Sequence, residues 1–341
     1  MPEQVLFVDD SKLTIKMLRS LFDDADVILH SATSAEEALK LVRQHEIAVV
    51  VSDNIMPGMS GVNFLSLLKN ISPDTVKILM SGFADLSSAL EAINNSEVFR
   101  FVVKPFKDEE LVFAVNEGLR RYRKKMEMRK EDEDILLSLA QTIELKDPST
   151  RGHCDRVGGH AVTVALALGM TRSQQREIKY GSWLHDCGKI GIAENILNGP
   201  RALTSDEFDQ IKQHSEWGED VAVRANLSAT VRNIVRHHHE RYDGSGYPDG
   251  LKGEAIPLEA RIVAIADVYD ALITDRPYRK GLTPEETLRL LQSMRGAELD
   301  PALVDLFILC LKREDAATPL IITNKTTFKG AFYSPPAKRD M

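Results

Sequence analysis

A change of periodicity divides this 341-residue chain and constrains its fold more than any single motif does. Up to about residue 122 short apolar runs alternate with helical spacing; beyond it no alternating strand pattern returns and helix signals dominate. Val5-Leu6-Phe7-Val8 runs into Asp9-Asp10, and Ala48-Val49-Val50-Val51 runs into Asp53. Between them, Ser34 to Val42 has helical spacing and opens with a Ser-x-x-Glu capping box. The run Val76 to Met80 ends at Ser81, and Val98 to Val103 ends at Lys104-Pro105. A βα repeat of this kind predicts a doubly wound, parallel, five-stranded α/β sheet with helices on both faces. The rest predicts an all-α domain. The expected organisation is therefore an α/β domain over 1–122, a helical linker over 123–134, an all-helical domain over 135–314 and a tail over 315–341.

In doubly wound sheets the ligand site lies beyond the carboxyl ends of the strands. Those ends carry Asp9, Asp10, Asp53, Ser81 and Lys104. Clustered carboxylates repel unless a hard cation such as Mg²⁺ sits among them, and an ammonium beside them can neutralise an incoming phosphoryl oxygen. The segment resembles a response-regulator receiver domain along its whole length. That resemblance implies Asp53 as the phosphoacceptor, followed by Asn54-Ile55-Met56-Pro57-Gly58. It also implies Asp9 and Asp10 as Mg²⁺ ligands, Ser81 and Lys104 as phosphoryl-binding groups, Phe101 as the switch aromatic and a sensor histidine kinase as partner.

The helical pattern that starts near Asp108 does not stop where such a domain would. Val115, Leu119, Tyr122 and Met126 follow the four-three spacing of a coiled-coil seam, and the register carries on to Leu136, Ala140 and Ile143 through the charged positions Arg129 and Glu133. One long connecting helix is expected, and a homodimer through the Leu119–Met126 seam is the association to test. The alternative is a solvated helix between two domains.

The helical half has capping boxes at Thr171, Thr204 and Thr283. Seven of the nine histidines lie between residues 153 and 239. His153 stands at a helix start, His185-Asp186 in an apolar context, His214 after the helix capped by Thr204, and His238-His239 at a helix end followed by a loop with three glycines, read as a mobile rim. Asp267 sits within the apolar run Ile262 to Val268, where a carboxylate is costly unless paired or bound to metal. Histidine and carboxylate donors without thiolate favour Fe, Mn or another octahedral divalent ion over structural zinc.

From about Leu139 to Val304 these residues resemble the HD phosphohydrolases. Gly246-Tyr247-Pro248 and Asp275-Arg276-Pro277-Tyr278-Arg279 are similar to the HD-GYP subfamily, which hydrolyses cyclic di-GMP. The resemblance implies two divalent ions. One is held by His153, His185, Asp186 and Asp267, and Asp186 bridges to a second held by His214, His238 and His239. It further implies Asp186 and Lys189 as catalytic groups and Lys189, Tyr247, Arg276 and Arg279 as substrate contacts. Diguanylate cyclase proteins become candidate partners of the Gly-Tyr-Pro loop. Ser149 stands where some members carry a third-metal glutamate, leaving Glu144 and Asp147 as the nearby carboxylates. His160 reads as structural, His237 as facing solvent or supporting the ligands, and Cys154 and Cys187 as small packing groups.

A net charge of −8 and a pI near 5.7 disfavour a nucleic-acid surface, and no run is long enough to span a membrane. Three cysteines without paired spacing fit a reducing, cytoplasmic setting. Two alternatives remain beside a phosphodiesterase that forms pGpG or GMP. One is a nucleotide receptor or interaction module with little turnover; the other is a hydrolase of another cyclic dinucleotide, such as cyclic GMP-AMP.

Overall fold

A computed structural model describes residues 2–23, 25–82, 98–147, 151–199, 201, 203–275 and 280–314. Ser149, Arg276, Arg279 and the tail therefore lie outside the described residues.

Five parallel strands, β1 (Glu3–Val8), β2 (Val27–Ala32), β3 (Ile47–Asp53), β4 (Val76–Gly82) and β5 (Arg100–Lys104), stand in the order β2-β1-β3-β4-β5. Alternation along β1 sends Val5 and Phe7 to one face, and Leu6 and Val8 to the other. The first face packs on Leu18 of α1 (Lys12–Ser20); the second packs on α2 (Ala35–Gln44) and α3 (Gly61–Ile71). All residues of β3 are buried, as a central strand covered on both faces requires. Ser34 caps α2 by accepting from the Glu37 backbone N–H, but the Glu37 carboxylate turns to Thr33 rather than back to Ser34. The predicted box is thus shifted by one residue at its return bond.

Helix α4 (Asp108–Glu144) runs unbroken for 37 residues from the sheet domain into the helical one. The apolar positions of the expected seam are covered by the chain itself. Leu111, Val115, Leu119 and Tyr122 are buried in the core of the α/β domain, with Met126 packed beside them. Leu136, Ala140 and Ile143 pack into the helical domain. Four-three spacing marks a helix face that must be covered, and here the chain covers it itself. The spacing through Leu119 and Met126 is therefore accounted for within one chain and does not by itself argue for a dimer.

Among the described residues nine further α-helices follow: α5 (His153–Ala167), α6 (Arg172–Leu184), the short α7 (Glu194–Leu197), α8 (Ser205–Lys212), α9 (His214–Arg224), α10 (Ala229–His237), α11 (Leu258–Ile273), α12 (Pro284–Ser293) and α13 (Pro301–Glu314). The predicted boxes at Thr171, Thr204 and Thr283 form with both reciprocal bonds. Helices α5, α11 and α13 share the main core, in which His160 stands edge-on to Tyr269 at 4.9 Å and fills a structural place, as its sequence position implied. No helix among the described residues is long and apolar enough to cross a membrane.

The two domains also meet through charge. Asp74, just before β4, pairs with Lys125 at 3.2 Å and Arg129 of α4, and with Arg176 of α6 at 3.1 Å. Burial works against the Asp74 charge, but the Arg129 hydrogen bond and the neighbouring cations outweigh it and hold the carboxyl below its usual range. A depressed carboxyl stabilises above its unfolded-state value and loses that contribution as acidification passes through the folded one. Asp74→Ala is expected to cost about 1–3 kcal/mol, because three cations lose a mostly buried partner. Calorimetry is expected to show the two domains melting in separate steps. A single transition at the wild-type midpoint would mean the contact carries no weight.

Candidate metal centre

At the carboxyl edge of the sheet the strands deliver one cluster. Carboxylate oxygens of Asp9, Asp10 and Asp53 converge within 4.8 Å of one another. Lys104, the last residue of β5, reaches Asp53 at 3.0 Å and Asp9 at 3.2 Å. Burial disfavours its charge, but Asp53 and then Asp9 outweigh that and raise the Lys104 pKa. Ser81 is buried near the end of β4, and Phe101 is half-buried against the α2–α3 face.

The helical domain gathers a second constellation from five separate elements. His185 follows the last residue of α6, His238 the last of α10, and His214 begins α9 after the break that ends α8. A helix end leaves its last carbonyls unpaired, and each of these rings uses one. His185 Nδ1 donates to Ser182 O at 2.7 Å, His214 Nδ1 to Ile211 O at 2.7 Å and His238 Nδ1 to Val235 O at 2.9 Å. A carbonyl only accepts, so each Nδ1 carries the proton and each Nε2 presents a lone pair inward. One piece of local geometry, repeated three times, builds the ligand orientation.

The inward atoms form two groups, each with donor atoms within 4.8 Å: His153, His185 and Asp267; and Asp186, His214, His238 and His239. Asp186 faces both. Its Oδ2 lies 3.4 Å from His185 Nε2, and its Oδ1 lies 3.5 Å from His214 Nε2 and 4.0 Å from His238 Nε2. Lys189, one turn on, donates to Asp186 Oδ2 at 2.5 Å. His185 Nε2 and Asp186 Oδ1 are buried with no hydrogen-bond partner, and the Nε2 atoms of His214 and His238 face each other at 3.3 Å. Buried polar atoms left facing one another in this way are costly unless something bridges them. Imidazole and carboxylate donors fit divalent cations.

Electrostatics sorts the ligands. Burial, and next the other imidazoles, pushes His238 well below its ordinary value and His239 down to about 3; burial also lowers His214. For His153, burial disfavours charge, but the bonds to Asp267 and then Asp270 prevail and push it up to about 10. Burial likewise opposes the charge of Asp186, yet Lys189 and His185 hold its carboxyl well below the usual range. Neutral imidazoles beside an ionised carboxylate, the state that cation binding requires, are thus found at His214, His238 and His239. The carboxylates around His153 and His185 instead favour their protonated forms, and a bound cation would displace those protons.

Sequence reasoning missed Asp270. Fully buried one turn beyond Asp267, it accepts from His153 Nδ1 at 2.7 Å and holds Arg156 at 2.6 and 3.0 Å. His153 Nε2 is left facing Asp267 at 3.2 Å. A carboxylate behind a histidine fixes the ring and raises its basicity, and losing it typically weakens metal binding about 10–100-fold. Asp270→Ala is expected to weaken the His153 subsite by that amount in a chelator competition while the His214 subsite keeps its affinity. Equal losses at both would point to general unfolding. The only advance signal was an i, i+3 carboxylate pair in an apolar helix.

The loop after His239 is pinned, contrary to the expected mobile rim. Glu240 is buried and accepts from Asp249 N and Leu251 N at 2.8 and 3.0 Å. Arg236 pairs with Asp249 through two bonds, and His237 reaches Asp249 at 3.0 Å. Acceptors set directly behind the loop's backbone hold it despite its glycines. Tyr247 thereby lies 4.8 Å from the His239 ring, at the edge of the donor cluster. Glu144 turns away from the donors, since both its oxygens accept backbone N–H groups at the start of α5. Cys187 is buried, and burial and then Asp186 push its thiol up to about 12, so it packs rather than reacts.

Fold and site together define a receiver-type α/β domain whose output is a helical HD domain. Residues 5–116 match the response regulator receiver domain and residues 138–303 the HD domain. The chain is 33% identical over 324 residues to the cyclic di-GMP phosphodiesterase response regulator RpfG of Xanthomonas campestris pv. campestris, covering 88% of this chain and 86% of that protein. It is 31% identical over 331 residues to a cyclic di-GMP phosphodiesterase of Thermotoga maritima, covering 89% of each. The helical half alone is 35% identical over 185 residues to 3'3'-cGAMP-specific phosphodiesterase 2 of Vibrio cholerae, covering 54% of this chain and 35% of that one. The chain belongs to the response regulators with a receiver and an HD-GYP output domain, the cyclic di-GMP phosphodiesterase family.

Proposed function

We propose that this response regulator hydrolyses cyclic di-GMP, to pGpG or on to GMP, and that phosphorylation of Asp53 by a sensor histidine kinase controls the reaction in the cytoplasm. The observation that carries the reading is the position of Asp186, grouped with His214, His238 and His239 and 3.4 Å from His185 of the other group, with unpartnered nitrogen and oxygen atoms between them. Two divalent ions, Fe or Mn by donor type, would be held by His153, His185, Asp186 and Asp267, and by Asp186, His214, His238 and His239. Such ions, when bound, stabilise charge on a phosphoryl group and activate water. Lys189 holds Asp186 ionised and offers its remaining N–H groups to a phosphate oxygen. Tyr247 closes one side of the site and gives a guanine base a face to stack on. Arg276 and Arg279 bind the distal part of the dinucleotide in this reading. In the receiver, Asp9, Asp10 and Asp53 hold Mg²⁺, and Lys104 and Ser81 receive the phosphoryl oxygens. Neither DNA nor a membrane is a partner in this reading.

The likeness of the helical half to a 3'3'-cGAMP-specific enzyme supports testing a second substrate. The experiment is product analysis with cyclic di-GMP and 3'3'-cGAMP, using metal-analysed protein prepared without oxygen, with and without beryllofluoride as the Asp53 phosphoryl analogue. Turnover that requires Asp186 establishes the enzyme. Tight nucleotide binding without turnover in every metal and phosphorylation state overturns it in favour of a receptor, with a diguanylate cyclase as the partner to test.

A further inference from the structure

The last residues of α4 and the turn after it touch both sides of the first donor group. Glu144 accepts from Gly152 N at 2.7 Å and from Cys154 N at 2.6 Å, crowning the start of α5, whose first residue is His153. Two residues on, Lys146 Nζ donates to the carbonyls of Lys189, of Ile190 at 2.6 Å and of Ile192. These carbonyls lie at the end of the 3-10 turn Cys187–Gly191, which is entered at Asp186 and contains Lys189. Asn198 in turn donates to Lys146 O at 2.8 Å and fixes the lysine's backbone. The apolar contacts run in parallel: Ala140 shares a cluster with Cys154, next to His153, and Ile143 shares one with Cys187, next to Asp186. Both cysteines, silent in the chemistry, are packing contacts of the connecting helix.

The other end of α4 belongs to the receiver. Leu111, Ala114, Val115 and Leu119 complete its core, and the helix begins four residues after Lys104, which bridges to Asp53. An intact helix is stiff, so a shift at one end reaches the other. Glu144 touches only the start of α5 and so His153, whereas the turn held by Lys146 carries Asp186 and packs through Gly188 on the backbone of His214 at the start of α9. A shift of α4 therefore changes the place of His153 relative to Asp186, the carboxylate that faces both donor groups.

We propose that Glu144 and Lys146 are positioning residues that grip His153 and the Asp186 turn from two sides, and that through them the phosphorylation state of the receiver sets the spacing between His153 and Asp186. This rests on the Asp53-controlled reading above. Contiguity alone does not demonstrate coupling, so the test measures it. Full-length wild type, Lys146→Met, Lys146→Arg and Glu144→Gln are compared for kcat and KM on cyclic di-GMP, with and without beryllofluoride and Mg²⁺. Metal affinity is read separately by chelator competition, and thermal unfolding reports folding.

Lys146→Met keeps the stem and removes the three donated bonds. It is expected to bring the ratio of kcat with and without beryllofluoride to within about twofold of one and to weaken the first subsite about tenfold, the usual scale for a supporting contact. Lys146→Arg, which still donates, keeps most of the response. Glu144→Gln preserves the shape and one acceptor and falls between. A Lys146→Met protein that keeps the wild-type ratio and metal affinity overturns the grip and leaves Asp53 control standing. A wild type indifferent to beryllofluoride overturns Asp53 control, and the transmission role falls with it.

Discussion

On the proposed binuclear reading, Asp186→Ala is expected to remove turnover by roughly 10³-fold or more and to reduce bound metal from two ions per chain to less than one. The carboxylate is shared: one oxygen faces His185 and Lys189, the other faces His214 and His238. Groups that act as a unit lose most of their effect when any member goes. The change also strands Lys189 and a set of imidazoles oriented toward a missing charge. Asp186 and Lys189 keep 20% and 19% of their side chains exposed, so water offsets part of that loss and the folding penalty is expected near about 1–3 kcal/mol. Asp186→Asn separates the effects, since it keeps the volume and removes the charge. Metal analysis after gel filtration, set beside steady-state kinetics, decides the matter. An alanine variant that retains two ions and measurable turnover would remove Asp186 from its bridging place.

Gly188→Ala is the second change with a large expected effect, and it acts through backbone alone. A Cβ there would stand 1.9 Å from the carbonyl oxygen of His214 and 2.7 Å from the nitrogen of Gly218. Neither obstacle is a side chain that can swing away. The turn carrying Asp186 and the helix starting at His214 meet backbone to backbone, and that contact is what brings Asp186 to the second donor group. Overpacking a tight site costs about 1–3 kcal/mol when side chains yield, and here they cannot, so at least the upper end is expected. Affinity at the His214, His238 and His239 subsite is expected to fall more than at the His153 subsite. Gly159 provides the control: nothing lies within 4 Å of its added Cβ, and it sits inside α5. Alanine there is expected to stabilise by about 0.5–1 kcal/mol. Thermal unfolding and metal titration of both variants test the contrast.

The two halves of the fold were legible because their signals are local. Apolar runs ending in polar residues gave four of the five strands, β2 (Val27–Ala32) being too mixed to stand out, and Thr-x-x-Glu or Thr-x-x-Gln boxes gave helix starts that form with both bonds. The donor residues could be picked out because each sits at a helix end or interrupts an apolar run, where its chemistry is out of place. What was illegible depends on partners distant in sequence. Asp270 is one more buried carboxylate until α11 is laid against α5 and it meets His153 and Arg156. Glu144 reads as a spare metal ligand until the start of α5 occupies both its oxygens. The loop after His239 has the composition of a flexible rim, and only the placement of Glu240 behind it shows why it is held. The four-three spacing through Leu119 and Met126 is ambiguous for another reason: spacing says that a helix face is covered, not by what.

The unbroken course of α4 gives the two domains an angular phase. Each residue of an α-helix adds about 100° of rotation and about 1.5 Å of rise. One residue inserted after Arg129 would swing the receiver by a quarter-turn or more and part Asp74 from Arg176, while seven would nearly restore the angle at a separation about 10 Å greater. Receivers are therefore interchangeable among such regulators only when the helix is joined in step, and a ladder of insertions should return function with the period of the helix rather than decay with length.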